Sequence, residues 1–205
     1  MNNAWNKIMY RIWSPIYDQI FNTGPFLEAR KKVFQDVKFE KHSNLLFVGV
    51  GTGADLELFN PQHFTITAID LSPDMLEKAR KKYPDSAISF LEMDAQKLDF
   101  DDDQFDFVIA SLILSVVPDP NICLREMTRV LKNGGELIIF DKFSSTETSS
   151  SIQRRLARPF VKLLGTNIAL SFEALFEENK YYLKLIDKSP VMFNGFYTKI
   201  RYRKE

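Results

Sequence analysis

Residues 45–56 read LLFVGVGTGADL, an apolar run ending in Gly49, Gly51 and Gly53 that describes a buried strand feeding a glycine loop and a helix. Glycine tolerates the left-handed backbone such a loop needs, and a missing Cβ lets main-chain N–H groups approach a ligand beside a helix N-terminus. A second apolar run, FTITAID at residues 64–70, ends in Asp70, whose carboxylate suits a ribose diol held against the loop. Dinucleotide sites use related loops but favour G-x-G-x-x-G, whereas Ala54, Asp55 and Leu56 follow Gly53 here.

Outward from this loop, residues 45–49, 65–70, 86–93, 105–111 and 136–143 are apolar enough for central parallel strands, and the segments between them read as helices. Ser72 caps, Pro73 opens and Pro84 follows a helix over 73–83. Another, over 119–131, opens near Pro118 and Pro120 and stops before Asn133-Gly134-Gly135, the signal of a left-handed turn. Two helices precede the first strand. After the core come a Ser/Thr-rich stretch at 144–151, read as a surface loop, and helical patterns over 152–164 and 171–178. Two strand-like runs, 181–188 and 192–203, separated by Pro190, suit an antiparallel hairpin at one sheet edge. The alternation predicts an α/β fold: a Rossmann-like, doubly wound, seven-stranded sheet, mostly parallel with an antiparallel C-terminal strand, plus an N-terminal helical lid. Ligands of such sheets lie above the carboxyl ends of the strands, where Gly49, Asp70, Asp94 and Ser111 are expected to gather.

Composition narrows the function classes. The 205 residues are enough for a full core, and 45% hydrophobic with 26% charged residues is ordinary for a globular chain. Lys plus Arg equals Asp plus Glu, 27 each, so no basic field recommends a nucleic-acid partner. The single cysteine, Cys123, allows no internal disulfide and fits a reducing compartment. No apolar run approaches the roughly 18 residues of a membrane span and no signal-peptide core is present, so a cytoplasmic location is expected. The unusual bulk property is 18 phenylalanines.

The strings GVGTG, AIDLSPDMLEKARKKY, FLEMDAQKLDF, DDQFDFVIASLILSVVPDP and LREMTRVLKNGGELIIFDKF resemble, in order and spacing, the successive motifs of class I S-adenosylmethionine-dependent methyltransferases over residues 43–143. With the early WSPIYDQIF and the tail around Phe193-Asn194-Gly195-Phe196, the chain is most similar to bacterial phosphatidylethanolamine N-methyltransferases, and also resembles the ubiquinone-biosynthesis methyltransferases. The resemblance implies S-adenosylmethionine as cofactor and S-adenosylhomocysteine as product. It places Gly49, Gly51 and Gly53 along the methionine portion, with Thr52 among the cofactor-binding residues. Asp70 then takes both ribose hydroxyls, and Leu71 with Met75 meets the adenine or its edge. Asp94 accepts from the adenine amino group while the Ala95 backbone donates. Ser111 lies near the sulfonium, Tyr17 belongs to a cofactor-proximal lid, and Asp141 lies on the substrate side. Tyr17, Ser111 and Asp141 are the candidates for orienting the acceptor. The resemblance divides one domain, 1–205, into N-terminal helices or lid (1–42), a cofactor-binding core (43–143) and substrate-side helices with the hairpin (144–205). The chain departs from the pattern at Phe47, where the family carries Asp or Glu; weaker cofactor binding, or transfer of that task to another group, is expected. It departs again at Lys142, where phospholipid-type relatives carry His after the acidic residue, and this bears on substrate specificity.

Other polar features read as structural. The acidic run from Asp99 to Asp106 suits a solvated loop anchored by Phe100 and Phe105 better than a metal site. His42 and His63 stand alone near strand starts and suit surface or capping positions, so neither metal ligation nor base catalysis is expected of them. Trp5, Ile8, Met9, Ile12, Trp13, Ile16, Tyr17, Ile20 and Phe21 recur at helical spacing; the stripe fits a peripheral contact with the inner membrane face, a lid, or plain packing. Arg154, Arg155, Arg158 and Lys162 flank Ile152, Leu156, Phe160, Val161 and Leu164, either a basic rim over an apolar pocket for a lipid phosphate or a solvated helix. The expected function is methyl transfer to an amphiphilic or small-molecule acceptor, led by a phosphatidylethanolamine-like amine. The alternatives are a quinone, thiol or small-amine methyltransferase, and a non-catalytic binding protein that keeps the fold, for which Phe47 is the supporting feature. A small-molecule or lipid partner is expected, with no nucleic acid and no obligate protein partner.

Overall fold

The computed structural model describes residues 23–143, 172–177 and 182–205. The N-terminal stripe with Tyr17, the loop at 144–151 and the basic segment at 152–164 lie outside the described residues. Helix α1 (Gly24–Phe34) leads into strand β1 (Asn44–Val48), followed by β2 (Thr65–Asp70), α2 (Pro73–Lys82), β3 (Ser89–Glu92) and β4 (Phe105–Ser111). Then come α3 (Pro120–Val130), β5 (Leu131–Lys142), the short α4 (Phe172–Glu177), β6 (Leu183–Met192) and β7 (Tyr197–Lys204). The strands form one seven-stranded sheet in the order β3-β2-β1-β4-β5-β7-β6. Strands β1 to β5 pair in parallel, and β7 runs antiparallel to both β5 and β6. This is the doubly wound sheet that the apolar runs predict.

Its two faces are packed differently. Leu46, Val48, Val108, Ala110, Leu137 and Ile139 face Leu124, Met127 and Val130 of α3 in one buried cluster. Strand alternation sends Leu45, Phe47, Phe107, Ile109, Ile138 and Phe140 to the other face, against Ala29, Val33 and Phe34 of α1. Many of the phenylalanines gather on this second face: Phe59 lies 5.1 Å from Phe34, 5.0 Å from Phe39, 5.2 Å from Phe47 and 6.0 Å from Phe64, with steep interplanar angles. Edge-to-face rings of this kind fill volume while adding about 0.5–1.5 kcal/mol per pair beyond their buried area.

Caps follow the expected chemistry. The Ser72 hydroxyl accepts from Met75 N, and the Asp119 carboxylate accepts from Asn121 N and Ile122 N. Arg129 of α3 donates to the Leu98 and Phe100 carbonyls and to Asp102, so the acidic loop is stapled down while Phe100 packs on buried Phe105 at 5.1 Å.

The structure differs from the sequence reading in several elements. The glycine loop feeds a 3-10 turn (Asp55–Leu58), not an α-helix, because Pro61 disfavours helical backbone at Asn60 and Phe59 turns extended into the aromatic core. Helix α3 ends at Val130, and Asn133-Gly134-Gly135 lies in an irregularity inside β5, where pairing shifts between Phe105 and Phe107. A Cβ on Gly135 would stand 2.8 Å from the Asp106 carbonyl oxygen, so glycine serves a close backbone approach there. Strand β3 is shorter than expected, and Pro190 lies within β6, not between two strands. That is tolerable because β6 is the sheet edge, where a missing N–H breaks little of the ladder.

Candidate functional site

The register of the central strands puts the candidate residues at one level. Val48 pairs with Ile69 of β2 and with Ala110 of β4, so the next residues, Gly49, Asp70 and Ser111, stand side by side at the carboxyl edge. Asp70 in turn pairs with Glu92 of β3, two residues before Asp94, and Ser111 pairs with Phe140 of β5, one residue before Asp141. Strand order reverses direction around β1, the place where open α/β sheets leave a crevice.

The glycine loop is shaped for close approach. Gly49, Gly51 and Gly53 all take positive φ, 69°, 56° and 84°. A Cβ on Gly49 would meet Ile113 Cδ1 at 2.7 Å, and one on Gly53 would meet the Tyr83 ring at 3.2 Å. Ile113 is brought there by Leu112, which itself adopts a left-handed φ of 59° and donates its N–H to the Phe140 carbonyl at 2.7 Å. Phe193 (φ 51°) and Asn194 (φ 50°) take the same conformation in the β6–β7 turn at this sheet edge, while His42 (φ 67°) does so at the opposite edge. Backbone strain of this sort costs on the order of 1–3 kcal/mol per residue and persists where the surrounding structure holds it in place.

Asp70 locks the loop to β2. Its Oδ2 accepts from Gly51 N and its Oδ1 from Ser72 N, both at 2.8 Å. Burial pushes its carboxyl above the ordinary aspartate value, against the backbone N–H groups of Ser72, Gly51 and Leu71 that favour the ionised form. Each carboxylate oxygen carries two lone pairs, so acceptor capacity is left for a further donor. Thr52 is buried, Leu71 half-buried, and Met75 buried in the first turn of α2. Asp94 lies half-buried beyond β3, its carboxylate accepting from Gln96 N at 2.9 Å and from Gln96 Nε2 at 3.2 Å, while Ala95 is buried beside it. Ser111 is half-buried. Asp141 is fully buried; its Oδ2 accepts from Ser115 N and its Oδ1 from Lys142 N. Burial raises its carboxyl pKa despite those donors and Lys142.

Sequence reasoning passed over several residues here. Gln96 joins Asp94 to the N-terminus of α3 by accepting from Asp119 N at 2.9 Å. Arg30 of α1 forms a buried ion pair with Asp55, two residues past Gly53; nothing along the chain links positions 25 residues apart. Phe47, by contrast, points away from the loop into the aromatic face, 2% exposed. Both histidines are exposed at the opposite, amino-terminal edge, where His42 N donates to the His63 carbonyl. Among the described residues no group of three or more His, Cys, Asp or Glu could hold a metal ion, and no helix is long and apolar enough to cross a membrane.

Residues 46–139 match the family described as "Methyltransferase domain". A phosphatidylethanolamine N-methyltransferase of Cereibacter sphaeroides is 32% identical over 200 residues, covering 95% of each chain. The chain belongs to the class I S-adenosylmethionine-dependent methyltransferases. A demethylmenaquinone methyltransferase of Staphylococcus aureus is 32% identical to this methyltransferase over 156 residues, 71% of its chain and 64% of the relative's length. Among solved structures, a possible histamine N-methyltransferase of Thermotoga maritima superposes with a TM-score of 0.71 at 22% identity, over 96% of this chain and 99% of that one. At that identity the likeness shows the shared fold.

Proposed function

We propose that this methyltransferase transfers the methyl group of S-adenosylmethionine to the amine of a phosphatidylethanolamine-like phospholipid. The observation that carries the cofactor site is the level set of Gly49, Asp70 and Ser111 at the strand-order reversal. The acceptor rests on the full-length likeness to the Cereibacter enzyme. The residues fit the cofactor. The positive φ of Gly49, Gly51 and Gly53 gives the loop a backbone course that suits the methionine portion, and the spare lone pairs of Asp70 suit the two ribose hydroxyls. Leu71 and Met75 would border the adenine, Asp94 would accept from its amino group, the Ala95 backbone would donate, and Thr52 and Gly53 would complete the loop. When bound, the cofactor supplies a methyl carbon already activated by its sulfonium.

The protein's part is placement and exclusion of water. The site's residues would hold the amine lone pair in line with that methyl carbon, so that the N–C bond would form as the S–C bond breaks and its electron pair stays with sulfur. An ammonium acceptor first gives a proton to solvent, and the product amine returns to its own protonation equilibrium. Ser111, Asp141 and Tyr17 are the proposed orienting residues, Tyr17 from the lid. The shape of the strained β4 end, which drives Ile113 against Gly49, supports a floor that holds the methyl donor at one depth.

The test is titration of S-adenosylhomocysteine into wild-type protein and Asp70→Ala, with labelled methyl transfer into phosphatidylethanolamine vesicles. Micromolar binding lost in the variant, together with labelled lipid, is the expected result. Binding without transfer to that lipid, but with transfer to a demethylated quinol, would favour the second acceptor class, which the similarity to the Staphylococcus enzyme motivates.

A further inference from the structure

Lys142 closes β5 directly across from Tyr197 of β7, and alternation sends its side chain to the face shared by Phe140 and Tyr197. The Tyr197 ring lies 5.8 Å from Phe140, 5.5 Å from Phe26, 5.3 Å from Phe196 and 5.9 Å from Phe193, so the lysine stem runs beside an aromatic wall at the carboxyl edge. Its surroundings remove the ammonium from much of its water and hold its pKa below the ordinary lysine value, although Asp141 pulls the other way. Asp141 does not pair with it through the side chain. That carboxylate leaves the opposite strand face, and its oxygens take the backbone N–H groups of Ser115 and Lys142. The Lys142 ammonium makes no hydrogen bond or ion pair with any described residue.

Other lysines in the same sheet are treated differently. Lys199 of β7, buried where Lys142 is half-buried, reaches Asp187 at 3.1 Å and Asp36 at 3.5 Å; Lys132 reaches Asp106 at 2.8 Å and Lys204 reaches Asp103 at 2.9 Å. An ammonium partly withdrawn from water without a direct ion pair costs a fold stability, and a methionine at that place would not. The fold leaves this ammonium without a direct ion pair, compensated only through space by Asp141, beside the strand ends where the cofactor is proposed to lie.

We infer that Lys142 is a specificity residue of the acceptor side: it binds the anionic oxygen of a phosphodiester headgroup whose acyl chains lie along the half-buried Phe196 and the exposed Phe193. This rests on the phospholipid reading above. A zwitterionic headgroup suits the place, because its phosphate neutralises the lysine while its amine projects toward the methyl donor; a cation alone would be repelled.

The experiment measures binding apart from turnover. Full-length protein loaded with S-adenosylhomocysteine is titrated with short-chain phosphatidylethanolamine and with the matching diacylglycerol, which lacks the phosphate, using wild type, Lys142→Met and Lys142→Arg. Wild type and Lys142→Arg are expected to prefer the phospholipid by roughly 10- to 100-fold, the range of one charge-assisted hydrogen bond, and Lys142→Met to lose that preference. Cofactor-product affinity should be unchanged in Lys142→Met, and its apo melting temperature raised. No preference in wild type, a preference kept by Lys142→Met, a fall in its product affinity, or a lowered melting temperature would each overturn the inference. Methyl transfer to the lipid is scored separately: lysine-dependent binding without transfer would overturn the proposed reaction and keep the anion site.

Discussion

A methyl group on Gly49 would lie 2.7 Å from Ile113 Cδ1 and would have to be carried at a φ of 69°. Gly49→Ala is therefore expected to cost about 1–3 kcal/mol in urea unfolding, the left-handed part of which persists when Ile113 is shortened to Val. Phe47 behaves in the reverse way. Restoring the family's carboxylate with Phe47→Asp would put a charge among Phe59 and its neighbours, so a loss of at least ~3 kcal/mol is expected in place of tighter cofactor binding; thermal unfolding with a product titration separates the two. The family resemblance marked position 47 as a departure, but only packing shows that its side chain belongs to the other face of the sheet. Asp70 carries a pH signature. Burial raises its pKa above 3.8, so its contribution to apo stability is complete below that value and is lost as pH rises through the folded pKa. The proposed ribose contact needs the ionised form, and product affinity should thus weaken as pH falls, at a pH higher than an exposed aspartate would give; calorimetry across the acid range measures it.

Between elements, the Arg30–Asp55 pair fastens α1 to the start of the 3-10 turn, with side chains 4% and 9% exposed. Arg30→Met leaves a buried carboxylate alone and is expected to cost about 3–5 kcal/mol, most of it recovered in Arg30→Met with Asp55→Leu; a double-mutant cycle in denaturant tests this. Strand and helix order were legible because apolar period and caps are local properties: Ser72, Pro73 and Asp119 announce α2 and α3 from their own neighbours. What was not legible depends on partners distant in the chain. The Asn133-Gly134-Gly135 string signals a turn in either setting, and only the pairing of Leu131 with Phe105 makes it a strand irregularity. The same holds for Pro190, acceptable inside β6 because that strand has a neighbour on one side alone. At the site, the strand-end positions of Gly49, Asp70 and Ser111 could be read in advance, whereas Gln96, Leu112 and the missing partner of Lys142 required the packed chain.

For the molecule as a whole, the β6–β7 hairpin completes the sheet and, on the proposed reading, one wall of the acceptor site. Glu136 of β5 takes Arg201 at 2.6 Å and Arg203 at 3.0 Å, and Lys199 reaches Asp36 just past α1, so charge as well as strand pairing holds the hairpin in place. Removing residues 183–204 would strip β5 of a partner and expose Ile138, Ile139 and Phe140, all buried in the intact fold. The truncated chain is expected to sediment as aggregate, while a milder Glu136→Gln variant stays monodisperse and loses about 1–3 kcal/mol. Because β7 is threaded between β5 and β6 yet follows β5 by more than fifty residues of chain, a long apolar strand stands bare on the ribosome until residues 197–204 emerge. At about 5–20 residues per second that interval lasts some seconds, and within it the nascent protein owns most of its proposed donor site, no acceptor wall, and an open edge that a chaperone must guard.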